Sequence, residues 1–135
     1  MSDPTRDLEI RGGFTLVELL IVVVVVGLLA AIAIPRYRSA SEESYKATLM
    51  ADMRNMAASQ ELFHNMNLRY GTMAELNDYL TSAGVTMDLP YVANTGFAVT
   101  ATHLGLPGYI CGYFVGDAPA GSAGPATDES QVTCQ

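Results

Sequence analysis

The sequence of 135 residues lacks the short motifs that mark most enzyme active sites. It contains no nucleophile elbow, no phosphate-binding glycine loop, no zinc-ligand spacing and no Cys-x-x-Cys pair. Its two histidines, His64 and His103, lie 39 residues apart, and isolated histidines are more often surface or core residues than catalytic ones. The sequence therefore offers no catalytic residue and no cofactor site, and an enzyme is the least favoured class of function.

Basic residues are also scarce. The chain has 7 Lys and Arg residues against 14 Asp and Glu residues, and residues 71–135 contain no lysine or arginine. Nucleic-acid binding depends on basic side chains that neutralise phosphates. We therefore expect no direct nucleic-acid binding. A membrane-anchored module that captures DNA or a surface ligand would need a basic or aromatic patch, and no basic patch is available in residues 71–135.

Only two cysteines are present, Cys111 and Cys134, both in the C-terminal quarter. In an exported domain they can pair and close a loop of about 24 residues, which contributes roughly 3 kcal/mol in the chain-entropy description. Two buried free thiols remain the alternative. The loop acids Asp117, Asp128 and Glu129 could at best form a weak calcium site, so no metal site is predicted.

One long apolar run, Phe14 to Ile34, contains a single ionisable residue, Glu18. As a helix, 21 residues span roughly 32 Å, which matches a hydrocarbon core of about 30 Å. An acid inside a membrane costs about 2.5–3.5 kcal/mol on insertion scales. Glu18 therefore needs either the membrane interface or a cationic partner.

Two simpler interpretations of this run stay open on composition alone. One is a plain single-pass anchor, and the other is a conventional secretory signal cleaved at Ala31-Ile32-Ala33. The second fits less well, because the run exceeds the usual 7–15 residues and contains an acid. Charge does not decide the orientation, since basic residues lie on both sides: Arg6, Arg11, Arg36, Arg38 and Lys46.

The segment from Arg11 to Tyr37 resembles the N-terminus of a type IV pilin. The resemblance rests on Arg11-Gly12-Gly13, on Phe14-Thr15-Leu16-Val17-Glu18-Leu19-Leu20, on Gly27, and on Ala33-Ile34-Pro35. It implies that a prepilin peptidase cleaves after Gly13, that the new amine of Phe14 is methylated, and that Glu18 supports assembly. It also implies that the leader is cytoplasmic and the C-terminal part is exported.

Three segments follow from this resemblance. They are a leader at residues 1–13 that is removed, a transmembrane or filament-core stem at residues 14–35, and an exported head at residues 36–135. Gly27 weakens the stem helix locally, and Pro35 removes a hydrogen-bond donor and crowds the carbonyl of Ala31. These two residues are predicted to soften the helix, although a gentle kink in a continuous helix is at least as compatible with them.

The predicted fold class is α+β, with one long helix and a small antiparallel sheet. Helical periodicity over 15–69 places Tyr45, Leu49, Met53, Met56, Phe63, Met66 and Tyr70 on one face, interrupted by Gln60, with Asp52 off that face. Gly71 is predicted to end the helix, and Thr72-Met73-Ala74-Glu75 to cap a short second helix. Strands are predicted at 96–103, 109–115 and 131–134, the first two joined by a hairpin at 104–108.

The function implied by the resemblance is a structural subunit of a type IV pilus, with a pseudopilin of a type II secretion system as the alternative. Its partners would be further copies of itself in a helical filament, the prepilin peptidase and the pilus assembly machinery. It would lie in the inner membrane as a precursor and on the cell surface after assembly.

Overall fold

The computed structural model describes residues 13–76, 79–119 and 121–135. Within them it has one helix and four strands: α1 (Leu16–Asn67), β1 (Val85–Val92), β2 (Phe97–His103), β3 (Ile110–Val115) and β4 (Thr133–Cys134). Internal contacts divide the chain into a stem unit that ends at Arg38 and a head unit, Ser39–Gln135. The predicted α+β class is confirmed, while the predicted leader, apart from Gly13, lies outside the described residues.

The stem unit is helical from Leu16 onward, and α1 passes through Gly27 and Pro35 without a break. The large apolar side chains between Phe14 and Ile34 are all exposed, with exposed fractions from 47% to 80%. Among the described residues, α1 is the one helix long and apolar enough to cross a membrane. The stem therefore buries none of its large apolar side chains within its own chain.

The head unit contains a four-stranded antiparallel sheet in the order β1-β2-β3-β4. β2 and β3 pair as predicted, from Phe97 opposite Val115 to Thr102 opposite Ile110. β1 was not predicted, and its proline is a residue that disfavours the interior of a strand. Pro90 lies where the register with β2 shifts, between Asp88 and Tyr91, and the missing N–H is tolerated there.

The core of the head lies between one face of α1 and one face of β2. Leu49, Met53 and Met56 are fully buried, as their helical spacing predicts. From β2, the alternating residues Phe97 and Val99 join the same cluster. Two further predictions for the α1 face were wrong, and the reasons lie in the segments that follow the helix.

Asp52 was placed outside the buried face but is 4% exposed. Its carboxylate accepts hydrogen bonds from the Ser82 N–H (2.7 Å) and the Ser82 hydroxyl (2.9 Å), and the hydroxyl of Tyr79 donates to the Asp52 carbonyl (2.6 Å). Buried polar groups require such partners. Met66, predicted in the core, is instead 77% exposed near the C-terminal end of α1.

The end of α1 also corrects a prediction. The helix ends at Asn67, and the following Leu68 adopts the left-handed conformation (φ 57°) in which glycine was expected. Gly71 is buried, and both its N–H and its carbonyl are bonded to the side chain of Gln60, at 2.8 and 2.7 Å. A Cβ at Gly71 would lie 3.1 Å from the Phe63 ring, so a larger residue would require that ring to shift by a few tenths of an ångström.

The predicted short helix after Thr72 is absent from the described residues, which show a turn at 73–75 instead. The capping interactions nevertheless form, since the N–H and the hydroxyl of Thr72 both donate to the Glu75 carboxylate at 2.9 Å. The sequence signature therefore predicted the hydrogen bonds between Thr72 and Glu75 correctly, but it predicted a helix where the structure has a turn.

The two cysteines form a disulfide, Cys111–Cys134, which joins β3 to β4 at directly opposed positions. The predicted pairing is thereby confirmed, and the alternative of free thiols is excluded. Since β4 has only two residues, the disulfide holds a strand that has few other contacts with the sheet.

Candidate assembly site at the start of the stem

Three non-helical residues, Gly13, Phe14 and Thr15, precede α1 in the described chain. The side chain of Phe14 is 79% exposed, and no atom lies within 4 Å of a Cβ built on Gly13. The peptide bond between Gly13 and Phe14 is therefore outside regular structure and is not covered by the described chain.

Thr15 and Glu18 form a reciprocal cap at the N-terminus of α1. The Glu18 carboxylate accepts hydrogen bonds from the Thr15 N–H (2.9 Å) and the Thr15 hydroxyl (2.8 Å), while the Glu18 N–H donates to the Thr15 hydroxyl oxygen (3.2 Å). This is a capping box, which satisfies backbone donors that have no partner inside the helix. An acid in the first turn is also stabilised by the helix dipole.

The signature of a capping box, threonine followed three residues later by glutamate, is present in the sequence at Thr15 and Glu18 but was predicted only at Thr72 and Glu75. The consequence is chemical. Glu18 already has hydrogen-bond donors from its own chain, yet it has no cationic partner among the described residues.

A cation would be created by cleavage after Gly13. The new α-amine on Phe14 would lie four residues before Glu18 in the sequence, in the short non-helical segment that leads into α1. Cleavage would thus place a positive charge within reach of the Glu18 carboxylate, from the same chain or from a neighbouring stem. The predictions for Gly13, Phe14 and Glu18 remain predictions.

The predicted candidates in the head serve structural roles. Asp117 accepts a hydrogen bond from the Thr95 hydroxyl (2.7 Å), and Glu129 accepts one from the Gly116 N–H (2.7 Å). Among the described residues, no three metal-ligating side chains come together. The two histidines stack on tyrosines, His103 on Tyr45 at 4.3 Å and His64 on Tyr70 at 4.6 Å between ring centroids.

Ionisable groups in the head are tuned by burial and by local partners. Burial raises the pKa of Tyr79 to about 12, with a further contribution from the charge of Asp52. The Arg69 guanidinium, together with the N–H and hydroxyl of Thr72, holds the pKa of Glu75 at about 2. These pKa shifts arise from contacts that hold the segment after α1 in place.

A family model of the prokaryotic N-terminal methylation motif matches residues 10–34. Three curated relatives are also similar. The type II secretion system core protein G of Pseudomonas aeruginosa is 32% identical, with the match covering 44% of this chain and 42% of the relative. The type IV major fimbrial protein FimA of Dichelobacter nodosus is 42% identical over 39% and 34%. The type IV wide pilus major component PilA4 of Thermus thermophilus is 29% identical over 69% and 74%.

The aligned segments span less than half the length of the first two relatives. The N-terminal motif matched by the family model, residues 10–34, contains Gly13, Thr15 and Glu18.

Proposed function

We propose that this chain, a type IV pilin-family protein by its methylation motif and its relatives, is a structural subunit that polymerises through its stem into a type IV pilus. One observation carries the proposal. An accessible Gly13–Phe14 bond directly precedes an apolar helix whose large side chains are 47–80% exposed. Such a helix needs a covering environment that the chain itself does not supply.

Two environments can cover the stem in turn. Before assembly, the membrane core accepts the apolar helix, because its backbone groups are bonded within the helix and its length matches the hydrocarbon thickness. After assembly, neighbouring stems would replace the lipid at the centre of a filament. In this account the prepilin peptidase removes the leader in the inner membrane, the pilus assembly machinery extracts the subunit, and the exported head faces outward on the cell surface.

Glu18 would then act in assembly. A carboxylate within an apolar bundle is costly unless a cation and hydrogen bonds accompany it. Thr15 supplies the hydrogen bonds, and the Phe14 amine of a neighbouring stem would supply the charge. A stem in the wrong register would leave both charges unpaired, so the pair would set the position of each incoming subunit.

Intact-mass measurement of the exported protein tests the processing step. The expected mass lacks residues 1–13, carries one added methyl group and is lower by two hydrogens for the Cys111–Cys134 disulfide. A chain beginning at Ile34 would instead support a conventional signal peptide. A chain that keeps residues 1–13 would contradict the proposed subunit.

The second candidate function is a pseudopilin, and the similarity to a type II secretion core protein favours it. The two functions predict different phenotypes for cells in which this protein is deleted. Loss of surface filaments with intact secretion supports the pilus subunit, whereas loss of protein secretion with intact filaments supports the pseudopilin. Re-expression of the unaltered chain should restore the lost property in either case.

A further inference from the structure

An apolar groove lies on the head beside the C-terminal end of α1. Its volume is about 210 Å³, and it is lined by Ser59, Leu62, Phe63, Met66, Glu75, Leu76 and Tyr79. Pockets for small organic ligands usually measure about 300–1,000 Å³. The groove is therefore sized for a single side chain.

Two polar side chains that line the groove, Glu75 and Tyr79, already have partners within the chain. Glu75 forms an ion pair with Arg69, and the Tyr79 hydroxyl donates to the Asp52 carbonyl. The walls nevertheless expose apolar surface, since Leu62 is 64% exposed and Met66 is 77% exposed. Because its charges are paired and its walls are apolar, the groove suits an apolar side chain.

A fitting side chain occurs elsewhere on the same head. Leu104, in the connection between β2 and β3, is 84% exposed, whereas Leu106 two residues later is buried and anchors the connection. The Leu104 N–H donates to the Gly84 carbonyl (2.9 Å), and the Gly105 N–H donates to His103 Nδ1 (2.9 Å). Leu104 is thus held in place by its neighbours while its own side chain contributes little to the core.

The groove and Leu104 lie at opposite ends of the head. The β2–β3 connection contacts α1 at Tyr45, whose ring stacks on His103 and lies against Gly105. Leu62 follows Tyr45 by 17 residues, a rise of about 25 Å along the helix. Leu104 therefore cannot reach the groove of its own chain.

We propose that Leu104 of one copy inserts into the groove of a second copy of this chain. This inference rests on the proposed filament. A protrusion at one end and a groove at the other make a heterologous contact, in which each copy uses a different surface, and such contacts repeat into open chains. Exposed Leu68 and Leu80 are less suitable, because they lie next to α1's end and to Tyr79, at the groove's own end of the head.

The contact would be weak in isolation. One hairpin tip buries far less than the roughly 1,200 Å² of a stable protein–protein interface. In a filament, the stems would already hold the subunits together. This raises the effective concentration of Leu104 near the groove of a neighbouring copy, so that a small contact can form. The contact would fix the arrangement of the heads rather than drive polymerisation.

Cysteine cross-linking in filaments of the full chain tests this proposal. The double variant Leu104→Cys/Met66→Cys pairs the tip with the groove, and Leu104→Cys/Thr127→Cys is a control with a second cysteine in an exposed loop outside the groove. Filaments sheared from cells are oxidised, or treated with a short thiol-specific cross-linker, and separated under denaturing conditions. Each single variant serves as a further control, and mass measurement verifies that the Cys111–Cys134 disulfide is retained.

The expected result is a ladder of dimers, trimers and longer multimers from the tip–groove variant alone. Filaments that form normally but give no ladder would overturn the head contact while leaving the filament function intact. An equally strong ladder from the control pair would also overturn it. If the unaltered chain forms no filaments at all, the proposed function itself fails, and this outcome is visible before cross-linking begins.

Discussion

The large apolar side chains of the stem are all exposed, whereas those of the head core are buried. In the stem, the large apolar residues from Phe14 to Ile34 keep 47–80% of their surface exposed, and the helix is held by its own hydrogen bonds and by the Thr15–Glu18 cap. In the head, Leu49, Met53 and Met56 have no exposed surface. Folding thus buries the head core within one chain and leaves the large apolar side chains of the stem exposed.

This difference separates two kinds of mutational effect. Substitutions in the head core should change the free energy of unfolding of one chain. Substitutions on the stem should change insertion or assembly while the head remains folded, since no large stem side chain is buried with the head core.

The largest expected difference is between two truncations to alanine. Met53→Ala removes a fully buried side chain and should destabilise the head by about 2–5 kcal/mol. Val24→Ala, at a stem position that is 50% exposed, should leave the unfolding of the head unchanged. Chemical denaturation of both variants in detergent, followed by tyrosine fluorescence or circular dichroism, measures the difference. Equal destabilisation by the two substitutions would contradict the claim that stem side chains do not contribute to the stability of the head.

Removal of the disulfide should have the next largest effect. Cys111→Ser and Cys134→Ser each open the loop between residues separated by 23 positions, at a cost of about 2–4 kcal/mol. The two single variants should lose similar stability, and the double variant should lose little more, because both remove the same bond. A markedly different loss of stability in the two single variants would mean that one of the cysteines contributes to stability beyond the disulfide bond.

A third prediction concerns the clamp between α1 and the segment after it. Gln60→Ala leaves the buried N–H and carbonyl of Gly71 without their partners and should cost about 2–3 kcal/mol. Asn55→Ala, which removes an exposed amide side chain from the same helix, is the matched control and should cost much less. The same denaturation measurement applies. If Gln60→Ala left the free energy of unfolding unchanged, water would be able to replace the hydrogen bonds between Gln60 and Gly71.

The smallest effect should be a loss of head stability in acid. The pKa of Glu75 is held at about 2 by Arg69 and Thr72, below its ordinary value of 4.5. Because the folded chain binds this proton less readily, the contribution is present above about pH 4.5 and is lost as pH falls towards 2. The effect is small because Glu75 and Arg69 are exposed to solvent. Denaturation midpoints between pH 6 and 2 should fall less steeply for Glu75→Gln than for the unaltered chain.

Patterns between residues that are close in the sequence predicted most of the fold. Helical spacing identified Leu49, Met53 and Met56 as core residues. The strands predicted at 96–103 and 109–115, joined by a hairpin, agree with β2 and β3. The disulfide could be expected from the number and position of the cysteines.

Contacts between distant segments accounted for the errors. Asp52 is buried because Ser82, 30 residues away, supplies its hydrogen bonds. Gly71 stays close to α1 because Gln60 and Phe63 surround it, so its role is not that of a helix cap. No spacing rule along the chain reports such partners.

The roles of the candidate-site residues remain predictions, and part of their geometry was not foreseen. Gly13, Phe14 and Glu18 were identified from the resemblance, but the hydrogen bonds that join Glu18 to Thr15 were not anticipated. The groove on the head was also invisible in the sequence, since it is formed by α1 and by the segment that follows it.

The central claim is that the charge of Glu18 serves assembly and not folding. The most direct test compares filaments made from Glu18→Ala as the sole subunit with those made from Thr15→Ala, which breaks the cap but keeps the carboxylate. If the Glu18 charge serves assembly, the Glu18→Ala protein should be inserted and processed and should have a folded head, yet give few or no filaments. The Thr15→Ala protein should still assemble. Abundant normal filaments from Glu18→Ala would contradict the account, and equal loss from both variants would show that the cap, rather than the charge, is what assembly requires.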